Sequence, residues 1–155
     1  MKEFRERIYI TQTELEEIKK ELEERIKKKR PEIAARLNSA KEMGDLSENT
    51  EFTTAKEEQA FNEARIKELE AIIQTAEVAE KNHNGLIGVG SRVKLKSEDG
   101  LKEFEIVGPE GIDLTNGKIS YESPLGQALI GKKVGDTFRV KTPKGEIKYK
   151  IVEIK

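Results

Sequence analysis

The sequence predicts an α+β protein in which a long N-terminal antiparallel α-helical coiled-coil hairpin, residues 1–83, precedes a small antiparallel β-sheet domain with a short helix, residues 84–155. Two observations carry this. Apolar residues recur at spacings of three and four through the first half, and at every second position from Val89 onward, with Asn82-His83-Asn84-Gly85 breaking both patterns between them. The first 83 residues also hold nineteen glutamates and a single aspartate, Asp45. Helix interiors accept Glu more readily than Asp, whose short carboxylate competes for backbone donors, so the lone Asp marks a turn between two helices.

Thr11-Gln12-Thr13-Glu14 has the pattern of a capping box and starts the first helix. Leu15, Ile18 and Leu22 follow at helical spacing; Ile26 then breaks the count by one, and Ile33, Leu37 and Ala40 resume it. That is a stutter. Pro31 removes one helical hydrogen bond at the same place, so a kink near Arg30, or two helices in line, is expected. Gly44 supplies a C-cap able to adopt positive φ, and either Asp45 or Ser47 caps the returning helix. Ala55, Gln59, Asn62, Ile66, Leu69, Ile73 and Ala76 form its seam, polar toward the turn and apolar toward the base. Each arm of about 35 residues would extend roughly 50 Å at helical rise.

In the second half, Val93 and Leu95, Phe104 and Ile106, Phe138 and Val140, and Ile147, Tyr149 and Ile151 alternate as half-buried strands do. Turns are expected at Glu98-Asp99-Gly100, Gly108-Pro109-Glu110-Gly111, Thr115-Asn116-Gly117 and Pro143-Lys144-Gly145, the last joining 137–142 to 146–154 as a hairpin. Ser123-Pro124 followed by Leu125 to Gly131 is a short helix with a Ser cap, Pro at its first position and Gly at its end.

Composition narrows the function. Of 155 residues, 38% are charged and 5% aromatic, unlike a single compact globule of ordinary composition. Cysteine is absent, which excludes disulfides and thiolate metal sites. The only apolar run near the N-terminus, Ile8-Tyr9-Ile10, is too short for a signal-peptide core, and a cytoplasmic protein that does not engage membranes is expected. The net charge of -1 divides as -4 over residues 1–83 and +3 over 84–155, which argues against a general nucleic-acid coat.

Asp45 and Glu48 are the candidate chemical pair at the turn. Acidic groups favour a helix N-terminus for electrostatic reasons alone. Two carboxylates also cannot fill an octahedral Mg²⁺ shell, so any metal handled there needs ligands from a partner or substrate. Lys41 and Lys56 flank the turn and could reach a phosphate held near Asp45. Phe52 either staples the hairpin end or stacks on a base. Lys27-Lys28-Lys29-Arg30 is best explained as a solvated helix face with glutamates nearby, and His83 as a surface residue of the linker. There is no Gly-rich phosphate loop, no serine nucleophile elbow and no pair of metal histidines, so an autonomous enzyme is not expected.

The run Gly44-Asp45-Leu46-Ser47-Glu48-Asn49 with Glu51-Phe52, together with Arg30-Pro31-Glu32-Ile33, Arg65-Ile66-Lys67, Ser123-Pro124-Leu125-Gly126 and Leu129-Ile130-Gly131-Lys132, resembles the GreA/GreB family of bacterial transcript cleavage factors over almost the whole chain. The resemblance implies an FKBP-like fold for the second domain and bacterial RNA polymerase as partner. The coiled coil would enter the polymerase secondary channel while the head docks at its rim through Ser123, Pro124, Leu129, Ile130 and Gly131. Asp45 and Glu48 would be donated to the polymerase active centre, sharing a Mg²⁺ that the protein does not bind tightly alone. Gly44, Leu46, Ser47, Asn49, Glu51 and Phe52 would support the tip, and Lys41 and Lys56 would contact the nascent RNA 3′ end. The implied activity is stimulation, by a monomer, of the polymerase's own cleavage of RNA in backtracked complexes. The alternative is a channel-binding inhibitor of cleavage. A prolyl isomerase or chaperone built on the head is the third possibility, disfavoured because that half has no Trp and few aromatics.

Overall fold

The computed structural model describes residues 8–45, 49–80 and 83–155. Residues 16–75 form one compact unit, and the described residues before 16 join those from 76 onward in a second, so the division runs at 15 and 75 rather than at 83/84. The α+β class holds.

In the first unit, helix α1 (Gln12–Glu24) passes into a π-helical segment at Arg25–Lys29, continues as α2 (Arg30–Glu42), and returns as α3 (Thr50–Thr75). Of the two outcomes expected near Pro31, a pair of helices is present as α1 and α2, joined through the π segment by continuous helical backbone, with Lys29 at φ -67, ψ -43 and Arg30 at φ -58, ψ -50. Arg30 N–H donates to the Arg25 carbonyl, five residues back instead of four. The extra residue detected at Ile26 is absorbed in that wide turn, placed where the Pro31 ring would otherwise press on the Lys27 carbonyl. Ile18, Ile33 and Ala40 are consequently all buried, with Leu15, Leu22, Ile26 and Leu37 half-buried. On α3 the buried positions are Ala55, Asn62, Ile66, Leu69 and Ile72; Gln59 and Ile73 are half-buried, so burial passes to Ile72 near the base.

Polar pairs link the arms in antiparallel order. Glu21 accepts from Arg65 Nε at 3.1 Å and Nη2 at 3.2 Å, and from Arg25 Nε at 2.8 Å. Arg25 Nη1 donates to Asn62 Oδ1 at 3.0 Å. Arg30 forks onto Glu63 at 2.9 and 2.8 Å, and Arg36 pairs with Glu58. Lys27 lies 3.6 Å from Glu23, so this basic run is partly neutralised by glutamates as expected.

In the second unit, strands β3 (Arg92–Ser97), β4 (Gly100–Val107), β5 (Lys118–Ser120), β6 (Thr137–Thr142) and β7 (Gly145–Ile154) form one sheet, with a helix at Pro124–Leu129, α4. The order is β5-β4-β3-β7-β6, and the β3–β4, β3–β7 and β6–β7 pairs are antiparallel, as expected. The β4–β5 pair is parallel, a departure from the all-antiparallel expectation. Gly108 to Gly111 does not form a tight hairpin; the chain crosses through 3₁₀ turns at Pro109–Gly111 and Leu114–Asn116 before β5. Gly117 closes that crossover with φ 74, and a Cβ there would lie 2.7 Å from the Glu103 carbonyl oxygen. The core is Ile87, Val93, Leu95, Ile106, Ile119, Leu129, Tyr149 and Ile151; five of these are alternating residues, Leu129 comes from α4, Ile87 and Ile119 were not anticipated, and Phe104, Phe138, Val140 and Ile147 pack against it partly buried. Ser123 caps α4, its Oγ accepting from Gly126 N–H at 3.0 Å and donating to the Ser120 carbonyl at 2.7 Å.

Ile8-Tyr9-Ile10 carries a role that periodicity did not reveal: Tyr9–Ile10 is a strand, β1, paired in parallel with β2 (Glu77–Val78). The capping box forms as expected, Glu14 N–H donating to Thr11 Oγ1 and Thr11 N–H to Glu14 Oε1, both at 3.0 Å. The same Oε1 accepts from Gly108 N–H at 2.7 Å, so the buried Glu14 carboxylate also anchors the first turn of α1 to the end of β4.

Leu129 is fully buried, and Leu129→Ala is expected to cost about 2–5 kcal/mol of head stability. Denaturant unfolding checks this; a loss near zero contradicts the assigned core. The Arg65 guanidinium, with Arg25 behind it, holds the Glu21 carboxyl below the ordinary glutamate value of 4.5 against the opposing effect of burial. Its stabilising contribution is therefore complete above pH 4.5 and lost as pH falls through the lowered value. Thermal melts between pH 6 and pH 3 are expected to show a shallower acid dependence in Glu21→Gln than in the parent, whereas parallel profiles contradict the assigned pairing.

Candidate functional site

The last turn of α2 ends at Met43, whose N–H donates to the Ala40 carbonyl at 3.1 Å, and Gly44 follows at φ 112 with its N–H 3.4 Å from the Lys41 carbonyl. A side chain disfavours that backbone angle, which makes Gly44 the helix terminator the sequence suggested. Asp45 comes next and is exposed. Leu46, Ser47 and Glu48 lie outside the described residues, so the pairing of Asp45 with Glu48 is not described.

Asn49, rather than Asp45, caps α3; Ser47, the other expected candidate, lies outside the described residues. Asn49 Oδ1 accepts from Phe52 N–H at 3.0 Å, the standard N-cap bond. Its Nδ2 donates across the turn to the Ala40 carbonyl at 2.6 Å. One amide thus starts the second arm and ties it to the end of the first. Asn49 stands three residues before Phe52, the spacing an N-cap needs.

Around this turn, Lys41 is exposed in the last turn of α2, where a cation complements the helix dipole. Lys56 sits with Nζ 5.9 Å from the Phe52 ring centroid and 3.5 Å from Gln59 Oε1. Phe52 is half-buried with that ammonium over its ring, while Glu51 is exposed in the first turn of α3. Both lysines thus belong to the turn-proximal ends of their arms. Among the described residues no group of three or more His, Cys, Asp or Glu side chains could hold a metal ion. The described donor at the turn is the Asp45 carboxylate, an oxygen ligand of the hard type that suits Mg²⁺.

The head residues separate by burial. Leu129 is in the core and cannot itself touch a partner, which corrects its expected place in a docking face; it supports α4 from inside. Pro124, Ile130 and Gly131 are exposed, and Ser123 is half-buried with its hydroxyl engaged in capping. Gly131 N–H donates to the Ile87 carbonyl at 2.8 Å, holding the exposed Ile130 beside a fixed backbone. His83 is not a free linker residue: half-buried, its Nε2 lies 3.0 Å from the Val89 carbonyl oxygen and its ring lies against Gly88.

Asn49→Ala removes both the cap and the cross-turn bond, and is expected to destabilise the hairpin by about 1–2 kcal/mol. Faster amide hydrogen exchange at the start of α3, with the head unchanged, is the matching signature; unaltered exchange there contradicts the assignment.

Comparison with known proteins bears on both units. Residues 8–78 match the family model described as "Transcription elongation factor, N-terminal", and residues 82–155 match "Transcription elongation factor, GreA/GreB, C-term". Transcription elongation factor GreA of Thermosipho africanus is 45% identical over 97% of this chain and 98% of its own length. That of Caldanaerobacter subterraneus is 44% identical over 96% and 97%. Among solved structures, the GreA factor homolog 1 (Gfh1) protein of Thermus thermophilus is 31% identical over 96% of this chain and 99% of its own, with a TM-score of 0.44. With both units matched and the curated relatives aligned from end to end, the chain belongs to the GreA/GreB family of transcription elongation factors.

Proposed function

We propose that the protein stimulates endonucleolytic cleavage of RNA by bacterial RNA polymerase in backtracked complexes, so that elongation resumes from the new 3′ end. The observation that carries this reading is the exposed Asp45, placed just past a glycine-terminated helix and beside an Asn49 stitch, in a chain of this family. The hairpin enters the secondary channel, and Asp45 with Glu48 reaches the active centre, where polymerase carboxylates complete the site. The protein is not catalytic alone, since two carboxylates leave most of a Mg²⁺ shell to others.

Each group has a role that its chemistry allows. An ionised carboxylate is an acceptor only, so Asp45 holds an attacking water by taking a hydrogen bond from it and orients its oxygen toward the phosphodiester. A bound Mg²⁺ would supply positive charge beside the phosphoryl oxygens as they gain negative charge. Lys41 and Lys56 attract phosphates of the extruded RNA 3′ end; Lys56 is restrained by Phe52 and Gln59, which lowers the entropy lost on contact. In the head, the exposed Pro124, Ile130 and Gly131 form the docking face at the channel rim, with Leu129 behind them. The protein works in the cytoplasm as a monomer. No helix among the described residues is long and apolar enough to cross a membrane.

Asp45→Asn and Glu48→Gln are each expected to lower stimulated cleavage in stalled complexes by at least about a hundredfold, on the scale of removing a group that positions a reacting water. Polymerase affinity should change by no more than about twofold, because neither substitution touches the head. Cleavage at the full rate with both variants would mean that the tip carboxylates are not the donated groups.

A further inference from the structure

Counting on from Leu15, Ile18 and Leu22 by alternating threes and fours places the seam of the first arm at residues 25, 29, 32, 36 and 39. The buried or half-buried apolar positions are instead Ile26, Ile33, Leu37 and Ala40, one residue later. The first arm therefore holds one residue more than its seam needs. In a uniform α-helix that residue would turn everything beyond it by about 100°. The π segment at Arg25–Lys29 takes it up.

The apolar pattern first slips at Ile26 but does not fix which residues form the wide turn. Two features do. Pro31 bounds it on the C-terminal side, because it has no N–H with which to restore the α-helical ladder. On the other side is Asn62, the buried polar residue of the 16–75 unit, 2% exposed on the seam of α3. Its Nδ2 donates to the Arg25 carbonyl at 3.3 Å while its Oδ1 accepts from Arg25 Nη1 at 3.0 Å. The same carbonyl receives the five-residue bond from Arg30 that starts the π segment. Arg25 is held in turn through Glu21, which Arg65 grips from α3. A buried polar residue on a helix seam costs stability and specifies register.

We propose that Asn62, acting through Arg25, is a positioning residue of the acidic tip: it pins the one-residue helical insertion at Arg25–Lys29 and so sets the phase in which α2 presents Asp45. If the insertion were not held, α2 beyond it would turn by about 100°, carrying with it Ala40, whose carbonyl accepts the Asn49 stitch. Register at the tip thus depends on a clamp more than one helical turn away from the reacting groups. The inference rests on the cleavage reading for its functional consequence, but the clamp itself is a statement about the hairpin.

The test is Asn62→Leu, which fills the seam with an apolar side chain and removes both bonds to Arg25. Cleavage of RNA in stalled polymerase complexes is measured across protein concentration, together with the melting temperature. Because the chain has no cysteine, nitroxide labels at the exposed Ser39→Cys and Glu57→Cys report the register of the arms as a distance distribution. The expected result is an unchanged or raised melting temperature, half-saturation within twofold of the parent, a maximal cleavage rate lowered about tenfold, and a broadened or shifted distribution. Arg25→Met should give the same rate loss, and the double variant no more than either single change, since the two residues act as one unit. A parent-like maximal rate or an unaltered distribution in Asn62→Leu overturns the proposal, as does a rate loss explained wholly by weaker binding. If Asn62→Leu fails to fold, Arg25→Met carries the same readouts. Absence of any stimulation by the parent protein would instead overturn the cleavage reading, and the label distributions would still decide the clamp.

Discussion

Two helices can deliver a residue at their joined end to a fixed place only if their seams remain in phase along their length. Here the first arm has a surplus residue and the second does not, so phase is the constraint on which the hairpin depends. The π turn at Arg25–Lys29 resolves the mismatch without interrupting the helix, and Asn62 meets it with a buried amide rather than a hydrocarbon. Beyond it, Ile33, Leu37 and Ala40 return to the seam, and the Ala40 carbonyl arrives where Asn49 can reach it. A register error at the middle of the arm would be transmitted to the turn through α2, because a helix is stiff in rotation about its own axis.

The tip itself is economical. One glycine ends the first arm, one asparagine both caps the second and binds it to the first, and the carboxylate of Asp45 is left exposed.

Much of the fold was legible in the sequence where local chemistry decides the outcome. Thr11 and Glu14 formed their capping box, Ser123 capped α4, and Pro143-Lys144-Gly145 joined β6 to β7 as expected, because each depends on neighbours within a few residues. The extra residue at Ile26 was equally visible, but its resolution was not: a stutter beside a proline does not say that the surplus residue is taken up as a π turn. Features determined by distant contacts were hidden. Tyr9–Ile10 is too short to show a period and becomes a strand only against Glu77–Val78. The parallel β4–β5 edge follows from a crossover through two 3₁₀ turns, which turn residues alone do not distinguish from a hairpin. At the candidate site, the turn itself was legible from Gly44 and the lone Asp45, whereas the cap was expected at Asp45 or Ser47 and lies at Asn49. Leu129, grouped with its exposed neighbours by motif, is directed into the core by the geometry of α4.

The most direct measurement of what the protein does is RNA cleavage in a polymerase complex stalled in a backtracked state, timed with and without saturating protein at fixed Mg²⁺. Faster release of short 3′-terminal fragments, followed by resumed elongation, is expected. An unchanged or slower cleavage rate in the presence of bound protein would contradict the role assigned to the tip.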